Sequence, residues 1–525
     1  MRFLIAFAFI MPLNLKAQIT TNLPIVKIST TGTINDIQQQ ANIAIIDNVS
    51  GVNNENDPAT FSSMIGVKIK GSSTVVKPSY SVETWSAPNV NLNVSLMGMP
   101  PENDWILLSS YNDRSFLRTM LAFELHRKMG RYAPRFKPCE VFLNNAYQGI
   151  YLFGEKIKQD TGRVDMANLR PIDNSGDQIT GGYIFKIDDG TPDWQSQYNP
   201  PYAASTQKID FQYDTPDASV ITPAQKNYIK TYVDSFEIVL NGSNFQDTTS
   251  GWRRFGAENS FLDFMLIQEI SKNYDAYRTN TFLYKDKLKK MRPGPLWGFD
   301  KAWYNTSDCS VSTDTGYVYN IGASCSSLGQ LAPFWWKKLT TDTAFYRLLK
   351  CTYNYERNPG KSLDTTSIFN FIDSVSTVLN ANGAINRNFA QWPIWAVPLN
   401  NEPTPMPVNY TEEINTMKQF IKRRLNWLDA QWVGTGCSYP VATQNELAAS
   451  DFRIFPNPVY SHLTLSSASN LVFQYTLMDL SGRVLLKKDK VYHTEILNLS
   501  TYSKGLYIIQ IEQNGKQLVQ KIVVE

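Results

Sequence analysis

The amino-acid sequence predicts an α+β main domain followed by a small all-β sandwich domain. In the first part of the chain, strand-like runs with alternating apolar residues, such as 65–70, are mixed with helices of three- and four-residue apolar spacing, such as 114–130. A polar linker at 437–451 precedes residues 452–525, where short runs rich in Val, Ile, Leu and Tyr alternate with turn signals. Hydrophobic residues make up 42% of the chain and aromatic residues 13%, which allows a sizeable core and is unlike a disordered protein.

The same patterns predict the elements of the main domain. Residues 260–273 are strongly apolar and predict a buried helix, whereas residues 411–432 predict an amphipathic helix that closes the domain. Residues 190–225 are rich in Pro, Asn, Gln, Ser and Asp, so we expect a surface insertion there and a second loop-like insertion at 305–330. The predicted strands lie at 23–30, 65–73, 78–85, 181–189, 281–287 and 295–303, with a hairpin at 140–157 and a turn at 292–294.

The N-terminus predicts a secretory signal peptide, residues 1–17. Arg2 gives a positive start, a long apolar run follows, and cleavage after Ala17 would use a small residue. No other run is long and apolar enough to predict a transmembrane segment in the mature chain. The formal net charge is +3 without a basic block, so nucleic acid is not an expected partner.

Cysteine and histidine usage argues against a zinc site or a histidine-based catalytic triad. The chain has three His and five Cys, and no CxxC spacing occurs. Export permits disulfides, and Cys309 and Cys325, which flank a loop rich in Ser, Gly and Thr, are the best candidate pair. Because the number of cysteines is odd, at least one thiol is free or pairs elsewhere.

The residues that point to chemistry are Asp275, Asn280 and Asp300. Asp275 and Asn280 have the spacing of the Asp and Asn in a protein-kinase catalytic loop, where the Asp orients the acceptor hydroxyl and the Asn binds metal. Asp300 follows about one hairpin later, where a kinase supplies the Asp that holds Mg²⁺ beside the phosphates. Taken alone, this spacing also fits ordinary turn-forming residues.

A kinase also needs a Lys on the phosphates that is held by a Glu. Lys77, which opens a predicted strand, and Glu155, which ends the predicted hairpin, are candidates for this pair, and Arg118 is a further candidate phosphate contact. Lys68 and Lys70 are rivals for the phosphate role, and each of these residues also fits a solvated surface position. Neither a GxxxxGK[ST] nor a GxGxxG phosphate cradle occurs in the chain.

Several motifs, taken in order, resemble the spore-coat protein H (CotH) kinase family. The resemblance implies an atypical kinase-like fold over residues 22–436 and transfer of phosphate from ATP to Ser or Thr of a protein substrate, with Mg²⁺ or Mn²⁺. It would make Asp275 the catalytic-loop Asp, Asp300 the metal-binding Asp, and Lys77 with Glu155 the nucleotide-side pair. The matching runs lie at 67–84, 102–166, 181–190, 261–286 and 294–303.

The chain departs from the family pattern at several positions, which keeps alternatives open. Gly298 stands where the family often has a carboxylate, Lys186 stands where an acidic residue is expected, Pro78 replaces one Lys of a Lys-Lys pair, and Lys70 replaces an Arg. The alternative is therefore a catalytically degenerate relative that serves as a binding or structural protein at the cell surface. A secreted polysaccharide hydrolase ranks last, because the sequence singles out no carboxylate pair for it.

The C-terminal residues 452–525 resemble the type A sorting domain of the type IX secretion system of Bacteroidetes. The matching runs are FRIFPNPV, LMDLSGRVL, LSTYSKGLYIIQI and the terminal KQLVQKIVVE. The resemblance implies passage through Sec and then through the type IX machinery, so we expect a secreted or surface-attached protein.

Overall fold

The computed structural model divides the chain into two compact units, Met1–Cys437 and Ser438–Glu525, which we describe separately. The predicted signal peptide at 1–17 and residues 438–451 of the predicted linker lie outside the described residues. The structure describes residues 18–71, 75–202, 207–326, 328–395, 397–434, 437, 452–467, 472–479, 483–513 and 516–525.

The N-terminal part of the first unit consists of strands. Their bounds are β1 Thr20–Thr21, β2 Ile25–Ser29, β3 Gln39–Ile46, β4 Asn53–Asn54, β5 Phe61–Lys70, β6 Ser79–Ala87, β7 Val90–Asn91, β8 Asp104–Leu108, β9 Phe136–Leu143 and β10 Ala146–Glu155. The large sheet has the order β5-β3-β2-β9-β10-β8-β6-β7, and β5 also pairs with β6, so the sheet closes on itself. Only the β2–β9 pair is parallel among the described ladders of this sheet.

The closed sheet has its own apolar core, to which each of its seven ring strands contributes. Val26, Ile43, Val67, Trp105 and Tyr151 are representative members of this core. Closure leaves few unpaired strand edges and encloses these side chains. Alternate residues of β10 point the other way and join the core of the helical part.

A second, five-stranded antiparallel sheet follows in the chain. Its strands are β11 Tyr183–Ile187, β12 Trp194–Gln195, β13 Asp210–Thr215, β14 Thr281–Lys285 and β15 Arg292–Pro293, in the order β12-β13-β11-β14-β15. Tyr183, Phe185 and Ile187 enter the large core on one face, while Ile184 packs with Phe282 on the other.

Helices complete the first unit around this sheet. Their bounds are α1 Arg118–Lys128, α2 Pro223–Asn241, α3 Glu258–Ser271, α4 Phe334–Leu339, α5 Thr343–Glu356, α6 Thr365–Asn380, α7 Ala384–Gln391 and α8 Tyr410–Gln431. Short 3₁₀ turns lie at Gly176–Thr180, Trp252–Arg254, Asp308–Ser310, Val318–Ala323 and Ala381–Gly383. The predicted helix at 260–273 is confirmed as α3, which is buried from Ser260 to Ser271, and the amphipathic helix predicted at 411–432 is confirmed as α8.

Three sequence predictions about this unit are wrong. Residues 295–303 form no strand, because Gly298 (φ 68°) and Trp303 (φ 44°) have left-handed backbone that interrupts a pleat. Residues 292 and 293 of the predicted turn instead form β15, and the connection from β14 lies before them. The predicted surface insertion at 190–225 contains β13, whose Phe211 is fully buried, because aromatic and branched side chains within the polar stretch find core neighbours.

Disulfides cross-link separate segments of the first unit. The predicted Cys309–Cys325 bond is confirmed, with a Cα–Cα distance of 5.3 Å. A second bond, Cys351–Cys437, links α5 to the end of the unit across 86 residues. The remaining thiol, Cys139, lies in the closed-sheet core, where burial raises its pKa and keeps it protonated.

The second unit is rich in β-strands, as the sequence predicts. Its strands are β16 Phe452–Phe455, β17 His462–Ser467, β18 Phe473–Met478, β19 Val484–Val491, β20 Thr494–Asn498, β21 Gly505–Gln513 and β22 Lys516–Val524. They form two antiparallel sheets, β16-β17-β20 and β19-β18-β21-β22. Leu463 and Leu497 from the first sheet share a core with Leu477, Ile509 and Ile511 from the second, as in a sandwich.

Within the described residues, no helix combines the length and the apolar composition that crossing a membrane requires.

A buried ion pair joins the two confirmed helices. Arg424 of α8 lies 3.5 Å from the Glu269 carboxylate of α3, and both side chains are 0% exposed. Arg424→Met should lower the free energy of unfolding by about 3–5 kcal/mol, because removing one partner of a buried pair leaves an uncompensated charge. Urea denaturation followed by tryptophan fluorescence measures this change in the first unit, since all 12 Trp residues precede residue 437.

The adjacent Arg423 is the matched control for this substitution. Its side chain is 49% exposed and lies 3.6 Å from Asp314, so Arg423→Met should have an effect below about 1 kcal/mol. Equal destabilisation by the two substitutions would contradict the importance of the buried pair.

Candidate active site

Asp275 lies four residues beyond the end of α3. Lys272 closes that helix in a left-handed conformation (φ 48°), which turns the chain out of the core. The buried Asn273 side chain then accepts a hydrogen bond from the Asp275 N–H at 3.3 Å and donates one to the Gly298 carbonyl at 3.0 Å. Asn273 therefore ties the Asp275 segment to the segment that carries Asp300.

Asp275 itself is an ion-paired, largely buried carboxylate; we call the region between Asp275, Asp300 and Lys70 the cleft. Arg278 Nη2 lies 3.0 Å from Asp275 Oδ1, and the Asp275 side chain is 13% exposed. Burial raises the pKa of Asp275, whereas the positive charges of Lys301 and Arg278 act in the opposite direction. The carboxylate is thus held in one orientation at the edge of the cleft.

Asp300 lies in a turn whose backbone is held by several hydrogen bonds. Arg118 Nε donates to the Ala302 carbonyl at 2.9 Å, and Asn305 Nδ2 donates to the Asp300 carbonyl at 2.6 Å. The Trp303 N–H donates a hydrogen bond to the carbonyl of Ser271, the last residue of α3, at 2.8 Å. These contacts place the Asp300 turn beside the end of α3.

The Asp300 carboxylate has little compensation for its charge. Within the described residues it forms no ion pair, and no other side chain donates a hydrogen bond to it. Burial raises the pKa of Asp300 to about 6, and the negative charges of Asp275 and Asp113 act in the same direction, whereas the positive charge of Lys301 offsets part of the rise. The two aspartates of the predicted site are therefore close enough to repel each other.

Asn280 lies against the Asp300 segment at Gly298. Its backbone is left-handed (φ 50°), and its N–H donates to Asp188 Oδ1 at 3.2 Å. A Cβ atom at residue 298 would come within 2.8 Å of the Asn280 side chain, and Gly298 also has a positive φ of 68°. The glycine that departs from the family pattern is therefore what allows Asn280 to approach this segment.

The structure corrects the predicted pairing of Lys77 with Glu155. Lys77 is buried; its Nζ donates to the Ile150 carbonyl at 2.6 Å and to Asn388 Oδ1 at 3.3 Å. Ile150 is five residues before Glu155 on the extended strand β10, a separation of about 16 Å at ~3.3 Å per residue. Lys77 contacts the middle of β10, whereas Glu155 is its last residue. The two side chains, both of them described, are therefore too far apart to form an ion pair.

Lys77 is enclosed by aromatic rings. Its Nζ lies 4.5 Å from the ring centre of Tyr151, 5.7 Å from that of Phe116 and 5.9 Å from that of Trp392. Burial lowers the pKa of Lys77 to about 7. In this position Lys77 connects the segment before β6 to α7 and β10.

Glu155 and Arg118 also have structural partners. Glu155 is fully buried, and its Oε2 accepts hydrogen bonds from the Arg135 N–H at 2.9 Å and the Tyr132 hydroxyl at 3.2 Å. Arg118 is 1% exposed and forms ion pairs with Asp113, at 2.7 Å, and with Glu413. Arg118 was predicted to contact phosphate, but its buried guanidinium instead pairs with two carboxylates that neutralise its charge.

Three lysines, which we call the lysine cluster, lie on the other side of the cleft: Lys70, Lys156 and Lys186. Burial lowers the pKa of Lys70, and Lys186 and Lys156 lower it further. Lys70 Nζ lies 5.3 Å from the ring centre of Trp297, three residues before Asp300. Lys70, one of the lysines proposed from sequence for the phosphates, therefore has its Nζ beside the Asp300 segment.

Sequence reasoning missed the carboxylates at the end of β11. Asp188 joins both sides of the cleft, because its Oδ2 lies 2.6 Å from Lys186 Nζ while its Oδ1 accepts the Asn280 N–H. Asp189 is close enough to Asp275 to raise the pKa of that carboxyl. Two carboxylates directly after a buried strand were the available signal.

The donor set suits a metal that arrives with a nucleotide. Among the described residues, no three His, Cys, Asp or Glu side chains are grouped to hold a metal. Mg²⁺ is commonly bound through one or two carboxylates together with substrate phosphates, and it favours oxygen ligands. The buried carboxylate of Asp300, with Asp275 and the Asn280 amide nearby, fits that requirement.

Two family models match the chain. The family model of the CotH kinase protein matches residues 67–428, and that of the secretion system C-terminal sorting domain matches residues 453–525. The first match covers more than half of the chain, so the protein belongs to the CotH kinase protein family. The sorting domain indicates export with the type IX secretion machinery, to the cell surface or the medium. No curated protein gives a significant match to the chain.

The contact between Gly298 and Asn280 can be tested by adding one methyl group. Gly298→Ala should lower the free energy of unfolding by about 1–3 kcal/mol, because it combines a left-handed backbone with a 2.8 Å contact to Asn280. On the hypothesis that the Asn280 amide is a metal ligand, its displacement should also weaken the binding of Mn²⁺ together with ATP. Thermal denaturation and calorimetric titration measure the two effects.

Gly360→Ala is the matched control, because Gly360 has a similar φ of 78° but no atom within 4 Å of the added Cβ. It should show the backbone cost alone and leave metal binding unchanged. If both substitutions affected binding alike, the Asn280 contact would have no role at the site.

Proposed function

We propose that the protein is an exported protein kinase that transfers the γ-phosphoryl group of ATP to Ser or Thr residues of a protein substrate. One observation carries the proposal: Asp275 and Asp300, from separate segments, lie close enough for the charge of the first to raise the pKa of the second. Asn280 lies against the same segment. Phosphoryl transfer needs oxygen ligands for a divalent metal beside a side chain that orients the acceptor hydroxyl.

The first unit, on this proposal, has an atypical kinase-like fold. Asp275 and Asn280 lie between α3 and β14, and Asp300 follows β15. A protein kinase presents its catalytic-loop Asp and Asn and its metal-binding Asp in the same order. The closed N-terminal sheet contributes Lys70 to the same cleft.

Asp300 and Asn280 are the residues that would hold Mg²⁺ or Mn²⁺, together with ATP phosphate oxygens. The bound metal would neutralise phosphate charge and polarise the transferred group. Asp300 suits this role because burial and the charge of Asp275 both disfavour its ionised form, a cost that a bound cation would relieve. Arg118 would act through the backbone, by holding the Asp300 turn in place.

Asp275 would accept the proton of the Ser or Thr hydroxyl. As the new bond forms between the hydroxyl oxygen and the γ-phosphorus, the bond from that phosphorus to the β–γ bridging oxygen breaks, and ADP leaves. Burial raises the pKa of Asp275, which makes the carboxylate a better proton acceptor. Arg278, at 3.0 Å, would keep the carboxylate in its orientation.

The lysine cluster would meet the negative charge of the triphosphate. Lys70 is the central member, because it is electrostatically coupled to Lys186 and Lys156 as well as to Asp188 and Asp214. An ammonium group that burial has partly desolvated gains from an incoming anion. We therefore assign the phosphate-contacting role to Lys70 in preference to Lys77.

A catalytically degenerate binding protein is the alternative function. Two ion pairs favour it, because Arg278 partly neutralises Asp275 and Lys186 partly neutralises Asp188. The carboxylate that Gly298 lacks is a further loss of metal-binding charge. A protein of this kind would bind a surface or extracellular partner without using ATP.

Removing the aspartates should abolish phosphate transfer without unfolding the protein. We expect Asp275→Asn and Asp300→Asn to lower incorporation of labelled phosphate from ATP by about 10²–10⁴-fold, since each removes a charge that the transfer uses. Asp36→Asn, at an exposed position, is the control and should keep wild-type incorporation. If both site variants incorporated as much labelled phosphate as the wild-type protein, the kinase proposal would be wrong.

Calorimetric titration with ATP and Mn²⁺ distinguishes a kinase from a degenerate binding protein. It also shows whether Lys70 or Lys77 contacts the phosphates. The wild-type protein should bind, and Lys70→Met should weaken binding about tenfold or more, because a hydrogen bond to a charged group contributes ~1.5–3 kcal/mol. Lys77→Met should leave ATP affinity unchanged, since Lys77 is enclosed by protein groups. Absence of any nucleotide binding by the wild-type protein would favour the degenerate alternative, and loss only in Lys77→Met would reverse the assignment.

A further inference from the structure

A groove on the surface of α2 lies apart from the cleft. It has a volume of about 430 Å³, within the roughly 300–1,000 Å³ range of small-molecule sites. The residues that shape it, which we call the α2 groove, are Ile179, Asn227, Tyr228, Thr231, Tyr232 and Phe255. None of the described residues that line it carries a charge.

Aromatic rings follow one another along the α2 groove. Tyr228 stacks on Tyr183 with ring centres 6.0 Å apart, and its ring centre is 6.3 Å from that of Tyr232. Tyr232 meets Phe255 edge to face at 5.3 Å. Tyr228, Tyr232 and Phe255 are each only half-buried, so they offer apolar surface to a ligand.

Polar groups without partners alternate with these rings. Within the described residues, the Asn227 amide and the hydroxyls of Tyr228 and Thr231 form no hydrogen bond. Positions 227, 228 and 231 lie on one face of α2, since residues three and four apart on a helix are neighbours. The α2 groove therefore presents aromatic surface together with uncharged hydrogen-bonding groups.

The ammonium group of Lys285, which lies beside two of the groove's rings, is already satisfied from within. Lys285 Nζ lies 4.6 Å from the ring centre of Tyr232 and 5.6 Å from that of Tyr228, and it donates to the Thr180 carbonyl. Burial lowers the pKa of Lys285 to about 8. The charge at the margin of the groove is that of Arg254, whose guanidinium lies 5.6 Å from the ring centre of Phe255, whereas the lining residues themselves are uncharged.

The α2 groove and the cleft lie on opposite faces of the five-stranded sheet. Tyr183 of β11 stacks on Tyr228, whereas the next residue, Ile184, packs with Phe282 on the face that also carries Lys186 of the lysine cluster. Successive side chains of a strand point to opposite faces. A ligand in the α2 groove would thus leave the cleft open.

We propose that the α2 groove binds a neutral oligosaccharide, with its sugar rings on Tyr228 and Tyr232 and its hydroxyls on Asn227 and Thr231. A sugar chain combines apolar ring faces with uncharged donors and acceptors, which is the combination that the lining offers. The proposal does not depend on phosphoryl transfer, because the groove shares no residue with the cleft. It gives an exported protein a contact with extracellular glycan.

Saturation-transfer difference NMR tests this proposal with the full chain. The probes are maltohexaose, cellohexaose and chitohexaose, each added separately. We expect saturation transfer to at least one of them, and its loss in Tyr228→Ala, which removes an aromatic ring. It should also be lost in Thr231→Trp, which fills the groove from an exposed helix position and keeps both tyrosines.

Tyr460→Ala, at a tyrosine that is 72% exposed in the second unit, is the control and should keep the transfer. Circular dichroism establishes that each variant is folded, and Thr231→Trp carries the test should Tyr228→Ala unfold. Absence of transfer from all three probes, or transfer that survives both groove variants, would overturn the proposal. A neutral Gly-Ser hexapeptide that showed the same dependence on Tyr228 would assign the groove to peptides and overturn it as well.

Discussion

The buried ion pair between Glu269 and Arg424 is the contact on which the geometry of the cleft depends. The Glu269 carboxylate also accepts the Val318 N–H at 2.8 Å and the hydroxyl of Tyr277 at 3.0 Å. Tyr277 lies two residues after Asp275, so the same carboxylate that anchors α8 also fixes the loop after α3. A buried charge that lacks a partner costs several kcal/mol, which means that these segments are stable only when assembled together.

A second buried arginine, Arg118, fixes the segment that carries Asp300, as Arg424 and Glu269 fix the loop that carries Asp275. Asp113 and Glu413 neutralise the charge of Arg118. Its Nε–H donates a hydrogen bond to the Ala302 carbonyl, in the turn after Asp300. The proposed metal ligand is therefore positioned by a residue of α1 and a residue of α8. Because two carboxylates neutralise its charge, Arg118 stabilises the backbone of the site and does not contact the phosphates.

The departures from the family pattern acquire physical meanings only in three dimensions. Lys186 is balanced by Asp188, which in turn holds the Asn280 backbone, so the unexpected cation is part of a chain of contacts that ends at the proposed metal site. Gly298 leaves the space that the Asn280 side chain occupies. From sequence, both positions read as losses of negative charge, because a one-dimensional pattern carries no information on which neighbour fills a space.

Local patterns in the sequence determined the elements whose signal lies within a few residues. These were the apolar run that becomes α3, the stripe of α8, the Cys309–Cys325 bond across a short loop, the short strands of the second unit and the sorting domain. The tertiary structure alone decided the surroundings of Lys77, whose hydrogen-bond partners are 73 and 311 residues away in the chain. It also decided the irregular path around Asp300. The physical reason is that periodicity records which face of an element is apolar, whereas burial and charge at a site are set by whichever distant segments pack against it.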